Sequence, residues 1–403
     1  MTATVNVAGT ARPVRLLFAG HTAEPSGAPI VLLGLVRYLV ADGEVEPVFL
    51  LRRGGPLVER YRELGEVTIL DAGYKHKLRR ASEMVKAGPA FDAAFRHGLA
   101  AWFRARCRAW RVDAIYLNTI THGDIAGLLS TVGVPIICHV HEMGRFVARE
   151  VSPAQFRSLI DTVSRWVAVS TPVEEMLVEH GVDRRKITLV SASVEMPKPL
   201  PDYERAELRK HSFGVPRSTR VLATCGTPSW TKGPELFLQL ALRLRHLRAD
   251  KPDPFLAVWI GADRQYPGTL TMEEDARQMD LAGHVKLIGF RQDASTLLGA
   301  ADVVASTSRE DPKPLVILEA AAAGVPVVCF EGSGGATDVV RAGGGLMVPY
   351  LDVDAMSVAV SELFDDADRS AALGQAGRDY VANHATHEVT TPEIARLIRD
   401  ALI

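Results

Sequence analysis

Short, continuous apolar segments alternate with helix-length segments along most of the 403-residue chain, and this alternation restricts the fold more than any other feature. In the first half of the chain such segments lie at 14–19, 47–51, 114–117 and 134–140. A strand that is apolar throughout has both faces buried, and strands that alternate with helices form a parallel sheet covered on both sides. The pattern therefore predicts an α/β protein with doubly wound sheets.

The alternation loosens at residues 191–202, where Pro197, Pro199 and Pro201 follow one another closely. Proline cannot continue a helix or a central strand, so we interpret this segment as a linker between two similar α/β halves. The last helix is predicted to begin at Pro392, after capping threonines.

Composition and charge exclude several classes of protein. The chain is 47% hydrophobic and 23% charged, which is typical of a soluble globular protein, and its net charge of −2 gives no reason to expect a nucleic-acid partner. No apolar run reaches the roughly 18 residues that span a bilayer. Residues 1–12 lack the basic and apolar regions of a signal peptide. We expect a cytoplasmic protein.

The four cysteines are Cys107, Cys138, Cys225 and Cys329, and their spacing fits neither a metal site nor a redox motif. Three of them lie in apolar, strand-like runs. We expect buried thiols in a reducing compartment and no metal site.

Residues 300–338 form one strand–helix–strand unit with a polar loop after the first strand. In open α/β sheets ligands bind at this edge, and the following helix start offers free N–H groups to an anion. Asp311 and Glu319 bracket the loop. Glu319 lies about one turn into the helix and leans toward the loop, where a carboxylate suits two neighbouring ribose hydroxyls. The spacing alone is equally consistent with an alternative in which Glu319 is a solvated acid on the helix and Asp311 is a loop acid that favours the helix start.

Two other turns also follow strands. The loop 226–233 carries Lys232 just before a helix, which suits a diphosphate. In the turn 20–29, Gly27 permits close approach of the backbone to a ligand. Neither turn has the three spaced glycines of the dinucleotide fingerprint, which argues against a nucleotide-dependent oxidoreductase or epimerase.

Polar side chains also follow two strands of the first half. Asn118 ends one strand, and His139 and His141 end the next. Because the carboxyl ends of parallel strands face the ligand crevice, these residues are placed to meet a substrate. A structural histidine or amide is an equally good interpretation of each.

Residues 75–111 are strongly basic, with ten lysines and arginines against Glu83 and Asp92. Together with Trp102 and Trp110, they suit either an anionic membrane surface or a phosphorylated acceptor. The alternative interpretation is a solvated helix face.

The segment 308–320, Ser-Arg-Glu-Asp-Pro-Lys-Pro-Leu-Val-Ile-Leu-Glu-Ala, with Gly334 and Gly335 behind it, resembles the donor-site signature of the retaining glycosyltransferases of family 4, the glycosyl transferases group 1. The loop 226–233 and the turn 287–291 add to this resemblance, which extends over most of residues 14–390.

The resemblance implies the GT-B fold, in which two doubly wound, Rossmann-like domains face a central cleft. It implies an acceptor-binding domain at 13–195 after a flexible segment 1–12, and a donor-binding domain at 196–384. A C-terminal helix within 385–403 would pack back on the first domain.

The resemblance also implies roles for individual residues. Glu319 would bind the ribose hydroxyls of a nucleotide sugar, and Asp311, in place of the first of the family's paired glutamates, would contact the sugar. The diphosphate would meet Lys232 and the backbone N–H groups of Leu315 and Val316. The other implied donor ligands are Gly27, Ala28, Gly226, Thr227, Lys313 and, near the base, Arg291. Asn118 stands roughly where many relatives carry a histidine near the sugar, and the predicted catalytic residues are Asp311, Lys232, Asn118 and His141.

The chain departs from the family pattern at two places. Relatives usually pair the loop lysine with an arginine, whereas this loop carries Thr227 and Thr231. The candidates to replace that arginine are Arg264, Arg291 and Arg309. The first acid of the signature is an aspartate, and the neighbouring Pro312 and Pro314 lack N–H groups.

The resemblance implies a retaining, metal-independent hexosyltransferase that needs no cofactor besides its nucleotide-sugar donor, with a UDP-sugar favoured. The acceptor would be a hydroxyl of a cell-envelope or polysaccharide precursor. The enzyme would be cytoplasmic, with peripheral membrane contact through residues 75–111. The alternatives are a small natural-product acceptor and a catalytically inactive protein that binds nucleotide sugars. The pattern predicts no oligomeric state.

Overall fold

The computed structural model describes residues 13–70 and 89–403, without the side chains of residues 89–96. The chain divides into two compact units. The N-terminal unit comprises Met1–Ser191 and His387–Ile403, and the C-terminal unit comprises Ala192–Thr386. In the described part of each unit, the named strands form one parallel sheet with helices between them.

The sheet of the N-terminal unit has the strand order β3-β2-β1-β4-β5-β6-β7. Its strands are β1 (Val14–Gly20), β2 (Val45–Leu51), β3 (Glu66–Ile69), β4 (Ala114–Leu117), β5 (Ile136–Val140), β6 (Arg165–Ala168) and β7 (Ile187–Leu189). The order changes direction between β1 and β4, which pair in parallel with Leu16 opposite Ala114. A ligand crevice is expected beyond the carboxyl ends of such a pair.

The helices of this unit cover both faces of the sheet. They are α1 (Gly27–Ala41), α2 (Val58–Arg62), α3 (Pro89–Ala109), α4 (Gly123–Leu129), α5 (Gly144–Glu150), α6 (Pro153–Thr162) and α7 (Thr171–Glu179), with shorter turns at Ile120–His122, Ser130–Val132 and Arg184–Lys186. Helix α6 begins with a complete capping box between Ser152 and Gln155, which satisfies two backbone donors at its start.

The sheet of the C-terminal unit has the strand order β10-β9-β8-β11-β12-β13. Its strands are β8 (Arg220–Cys225), β9 (Phe255–Ile260), β10 (Val285–Ile288), β11 (Val303–Ser306), β12 (Val327–Phe330) and β13 (Gly345–Val348). The helices are α8 (Asp202–Leu208), α9 (Pro234–Leu247), α10 (Pro267–Gln278), α11 (Ala294–Gly299), α12 (Leu315–Ala322), α13 (Ala336–Val339), α14 (Val353–Asp365) and α15 (Ala367–His384), with π-helical turns at Arg209–Phe213 and Val340–Gly344. Here the order changes direction between β8 and β11.

The last helix, α16 (His387–Leu402), belongs to the N-terminal unit. The prediction that it begins at Pro392 was wrong, because the helix starts at His387. The ring of His387 stacks on Tyr38 of α1 at 4.6 Å, and Ile394 and Ile398 enter the core beside α1. Packing against α1 therefore supports a first turn that local sequence signals did not indicate.

The basic region 75–111 is described only in part, since residues 71–88 lie outside the described residues. In the described part, Arg106 binds Glu66 at 2.6 Å and stacks over the ring of Trp110 at 4.4 Å. Membrane contact through this region stays a prediction. Among the described residues, no helix combines the length and apolarity that a membrane crossing requires.

Candidate functional site

Two loops of the C-terminal unit meet beyond the carboxyl ends of β8 and β11. The backbone N–H of Arg309 donates to the carbonyl of Thr231 at 2.8 Å, and the hydroxyl of Thr307 donates to the carbonyl of Lys232 at 3.0 Å. Gly233 has φ +64°, and a Cβ there would lie 2.3 Å from the carbonyl oxygen of Thr307. The close approach of the loops therefore requires glycine at this position.

Lys232 and Asp311, predicted from different parts of the sequence, form an ion pair in this site. The Asp311 residue is 8% exposed. Its backbone is fixed from both sides: its N–H donates to Ser333 at 2.8 Å, and its carbonyl accepts from Gly335 at 3.0 Å. A Cβ at Gly334 would lie 1.9 Å from that carbonyl oxygen. The glycine pair of the signature thus holds the Asp311 backbone in place.

Glu319 extends from α12 toward the same end of β8. Burial raises the pKa of the Cys225 thiol to about 12, and the nearby charge of Glu319 raises it further while that of Lys232 lowers it. Both charged groups therefore lie close to Cys225. Burial also raises the pKa of Glu319 itself. Among the described residues, the Glu319 carboxylate has no hydrogen-bond or ion-pair partner, so it can accept hydrogen bonds from a ligand.

The first turn of α12 presents backbone donors at this edge. Pro314 occupies the N-cap position of the helix in an extended conformation, and it provides no side-chain hydrogen bond to the helix start. In the described part of the chain, the N–H groups of Leu315 and Val316 have no backbone acceptor, as expected for the first residues of a helix. The helix dipole adds positive potential at this point.

Other predicted donor ligands of this unit differ in accessibility. Gly226 accepts a hydrogen bond from the indole of Trp259 at 2.7 Å, and Thr227 is exposed. Lys313 points into the protein, where its ammonium group binds Asp338 at 3.0 Å and lies 3.4 Å from the hydroxyl of Tyr380. Its side chain is only 3% exposed, so it does not lie open to a ligand.

The three arginines considered as replacements for the family's loop arginine are each bound to a carboxylate. Arg291 binds Asp293 at 2.7 Å, and Arg264 binds Glu273 at 2.9 Å. Arg309 binds Glu235 and lies 5.2 Å over the ring of Trp230. Arg309 is therefore the one of the three that contacts the Lys232 loop.

In the N-terminal unit, Asn118 joins two predicted segments. It is 1% exposed, its amide donates to the carbonyl of Ala28 at 3.0 Å, and its carbonyl oxygen lies 3.1 Å from Nε2 of His141. Because the Asn118 carbonyl can only accept, this contact assigns the ring proton of His141 to Nε2. Burial, together with the nearby His21, lowers the pKa of His141 to about 3. His141 is therefore neutral near physiological pH.

Gly27 is the first residue of α1, and a Cβ there would have no neighbour within 4 Å. The fold itself therefore does not require glycine at this position. His139, considered together with His141, is buried and hydrogen-bonded to the hydroxyl of Tyr116 at 2.8 Å.

Sequence reasoning missed Glu142, which is 8% exposed beside these residues. Its carboxylate accepts hydrogen bonds from the hydroxyl of Thr119 and from the N–H groups of Ile120 and His141. A charged residue two positions after the end of a buried strand was the available signal. Among the residues that the structure describes, no cluster of three or more His, Cys, Asp or Glu side chains could hold a metal ion.

Comparison with solved structures gives the fold. A crystal structure of HepE from Anabaena in complex with UDP-glucose matches with a TM-score of 0.77 at 18% identity, covering 96% of this chain and 99% of that one. Together with the two parallel-sheet units, this likeness shows that the fold is GT-B and α/β, as predicted from the sequence.

Sequence comparison then gives the family. The model described as glycosyl transferases group 1 matches residues 207–380, and the model described as Glycosyltransferase Family 4 matches residues 25–196. The chain belongs to glycosyltransferase family 4, as the signature at 308–320 predicted.

Two curated relatives come from corynebacteria. A D-inositol 3-phosphate glycosyltransferase of Corynebacterium urealyticum is 30% identical over 57% of this chain and 55% of its own length. A GDP-mannose-dependent monoacylated alpha-(1-6)-phosphatidylinositol monomannoside mannosyltransferase of Corynebacterium glutamicum is 30% identical over 54% of each chain. The match thus spans about half the length of these relatives.

Proposed function

We propose that the protein transfers a sugar from a nucleotide-diphosphate sugar to a hydroxyl group of an acceptor, with retention of anomeric configuration. One observation carries this proposal: Lys232, the free N–H groups at the start of α12 and the unpartnered Glu319 carboxylate converge at one edge of the C-terminal sheet. These groups complement a diphosphate and the ribose attached to it.

In this proposal Glu319 binds the ribose. A carboxylate can accept hydrogen bonds from two neighbouring hydroxyls, and a buried carboxylate gains more from them because it has lost water. The raised pKa of Glu319 is the sign of that desolvation. The other donor ligands proposed from the family signature, Gly226, Thr227 and Arg291, remain part of the proposal.

Lys232 and the N–H groups of Leu315 and Val316 bind the diphosphate. In the structure, Lys232 is paired with Asp311. A diphosphate carries more negative charge than one carboxylate, so it competes for the lysine and leaves Asp311 free to accept a hydrogen bond from a sugar hydroxyl. Lys313 is paired with Asp338 and would act on the loop backbone rather than on the phosphates.

Cleavage of the sugar–phosphate bond places negative charge on the departing diphosphate. Fixed donors that strengthen their interactions as this charge develops lower the barrier, and Lys232 with the α12 N–H groups are placed to do so. We propose that this stabilisation makes the transfer independent of a metal. The acceptor hydroxyl attacks from the face that the phosphate leaves, and the phosphate takes the proton.

By the family resemblance, we assign acceptor binding to the N-terminal unit and a role near the sugar to Asn118. Because Nε2 of His141 donates to Asn118, its Nδ1 is an acceptor that suits a sugar hydroxyl. With a pKa of about 3, His141 acts as a neutral hydrogen-bonding group rather than as a cation. Asn118 orients this ring and Ala28, and the unobstructed Gly27 allows a ligand close to the backbone.

The names of relatives support an acceptor class. The relatives include glycosyltransferases for inositol phosphate and phosphatidylinositol mannoside, and a UDP-galactose-dependent enzyme acting on a diphosphoundecaprenol-linked sugar. We therefore propose a cell-envelope or polysaccharide precursor, made in the cytoplasm. The UDP complexes of HepE favour a UDP-sugar as donor. A small natural-product acceptor is the second candidate.

The first test is a calorimetric titration of the full chain with UDP, GDP, TDP and ADP and with their common sugars, alongside Glu319→Ala and Lys232→Ala. Binding of one nucleotide that both substitutions weaken supports the proposal and names the base. Binding that ignores both substitutions contradicts the donor site. Nucleotide binding with no sugar transfer to any acceptor favours the inactive binding protein.

The stereochemistry has its own test. Proton NMR of the product formed from an α-linked donor gives the anomeric configuration directly. An α-linked product supports retention, and a β-linked product contradicts the proposed attack from the leaving-group face.

A further inference from the structure

We propose that Glu142 is a positioning residue, whose buried carboxylate ties together the two segments that carry Asn118 and His141. This inference rests on the proposed function, because it assigns the N-terminal site to the sugar transfer. Glu142 acts through its neighbours and does not itself contact a substrate.

The contacts of Glu142 come from two neighbouring strand ends. One carboxylate oxygen accepts a hydrogen bond from the hydroxyl of Thr119, in the segment after β4. The other accepts from the N–H of Ile120 at 3.2 Å and from the N–H of His141, at the end of β5, at 3.1 Å. One side chain thus crosslinks both segments through three donors.

The same segments carry the residues proposed to face the sugar. Asn118 immediately precedes Thr119, and His141 immediately precedes Glu142. Asn118 and His141 contact each other at 3.1 Å, and Asn118 also holds Ala28 at 3.0 Å. Removal of the carboxylate leaves two buried N–H groups without an acceptor, which loosens the mutual placement of Asn118 and His141.

The ionisation of Glu142 is set by its surroundings. Burial raises its pKa to about 7, against the opposing effect of its hydrogen bonds to Thr119, Ile120 and His141. The titratable groups on the adjoining strands and turn are Tyr116, His122, Cys138, His139 and His141. Helix α4 carries Asp124, which pairs with Arg52. Helix α5 carries Arg145, Arg149 and Glu150, all three of which are exposed.

Protonation weakens the crosslink. A neutral carboxyl accepts the N–H hydrogen bonds of Ile120 and His141 less strongly than a carboxylate does, and its bond to the hydroxyl of Thr119 has to reverse direction. The ionised form therefore holds the two segments better. We expect the sugar-transfer rate to rise as the pH rises through the pKa of Glu142.

The direct test is NMR of the full chain labelled with nitrogen-15 isoleucine and histidine, in the wild type and in Glu142→Gln. Glutamine keeps the shape and an accepting oxygen but does not titrate. The amide shifts of Ile120 and His141 should titrate together near pH 7 in the wild type only. Shifts that do not titrate, or that titrate equally in Glu142→Gln, overturn the proposal.

Kinetics supply the second readout, as the initial rate of UDP release from UDP-glucose. At pH 8, Glu142→Ala should lower kcat about tenfold, with the KM for UDP-glucose within about twofold. Glu142→Gln should keep the wild-type kcat within about threefold and remove the roughly fivefold loss of rate between pH 8 and pH 6. The matched control is Glu150→Ala, an exposed glutamate nearby.

Equal kcat values for Glu142→Ala and Glu150→Ala overturn the proposal, as does an effect confined to KM. Where Glu142→Ala does not fold, Thr119→Val removes one donor and should lower kcat in the same direction. If Glu319→Ala does not weaken UDP binding and the wild type releases no UDP, these results contradict the proposed function instead. The amide titration still decides the role of Glu142 in that case.

Discussion

Each sheet carries polar groups beyond the pair of strands at which its strand order changes direction. The two sets of groups differ in how completely they bond to one another. In the C-terminal unit, Glu319 has no hydrogen-bond partner among the described residues, and the first N–H groups of α12 have no backbone acceptor. In the N-terminal unit, Asn118, His141 and Glu142 bond to one another or to nearby backbone. The proposed nucleotide site of the C-terminal unit keeps hydrogen-bonding capacity unused, whereas the polar cluster of the N-terminal unit uses its capacity to hold its own loops.

This difference predicts different consequences of mutation. In the C-terminal unit, removal of a polar group should remove ligand affinity with little loss of stability. In the N-terminal unit, removal of a polar group should disturb neighbouring residues, because each group is another's partner. Four predictions test this comparison, from the largest expected effect to the smallest.

Lys232→Ala removes the cation proposed to stabilise the departing diphosphate and leaves the Asp311 carboxylate unpaired beside the phosphates. We expect kcat/KM to fall about 10²- to 10³-fold in steady-state assays of UDP release. The control is Lys251→Ala, a half-exposed lysine that pairs with Asp365. Equal activity of Lys232→Ala and Lys251→Ala would show that Lys232 has no role in the reaction.

Glu142→Gln should increase stability above pH 7. The folded state raises the pKa of Glu142 from 4.5 to about 7, so between these values it binds a proton that the unfolded state has lost. The wild type therefore loses up to about 3 kcal/mol of unfolding free energy as the pH rises through this window, and glutamine does not. Urea unfolding at pH 5 and pH 8 measures the effect; a stability difference that does not grow with pH contradicts it.

Glu319→Ala should weaken UDP binding about 10- to 100-fold, because hydrogen bonds to a charged group contribute roughly 1.5–3 kcal/mol. The wild type should bind UDP more tightly than 2′-deoxy-UDP, and the variant should bind both equally. Calorimetry of both proteins with both ligands forms a double-mutant cycle for the ribose contact. If the variant still prefers UDP, another residue recognises the 2′-hydroxyl.

Gly27→Ala should change kinetics without changing stability. A Cβ at Gly27 meets nothing within 4 Å, so we expect the Tm to stay within about 1 °C. If the backbone approaches a ligand here, the KM for UDP-glucose should rise several-fold. Gly98→Ala is the matched control, since a Cβ there also has open space and lies on α3. Unchanged KM in both variants would remove Gly27 from the site.

Much of the architecture was predictable from local pattern. The alternation of apolar strands and helices predicted parallel sheets, and the segment 308–320 predicted the family and the GT-B fold; the structure and the comparisons confirm both. The roles assigned to individual residues stay predictions. The sequence placed Lys232 and Asp311 in separate loops 79 residues apart, and the fold joins them in an ion pair.

Other features could not be read from the sequence. Lys313 lies two residues from Asp311, yet its ammonium group turns inward to Asp338, a partner 25 residues further along the chain. Glu142 appeared as one polar residue among several after β5, and its three donors became apparent only in the structure. The start of α16 at His387 depends on Tyr38, which is distant in sequence.

The sequence by itself determined the sheets, the family and the segments at which ligands are expected, because strand burial, helix starts and glycine turns are local properties of the chain. The tertiary structure decided which polar groups bond to one another and which stay open to a ligand. The physical reason is that a buried donor or acceptor must find a partner, and that partner is set by folding rather than by nearness in sequence.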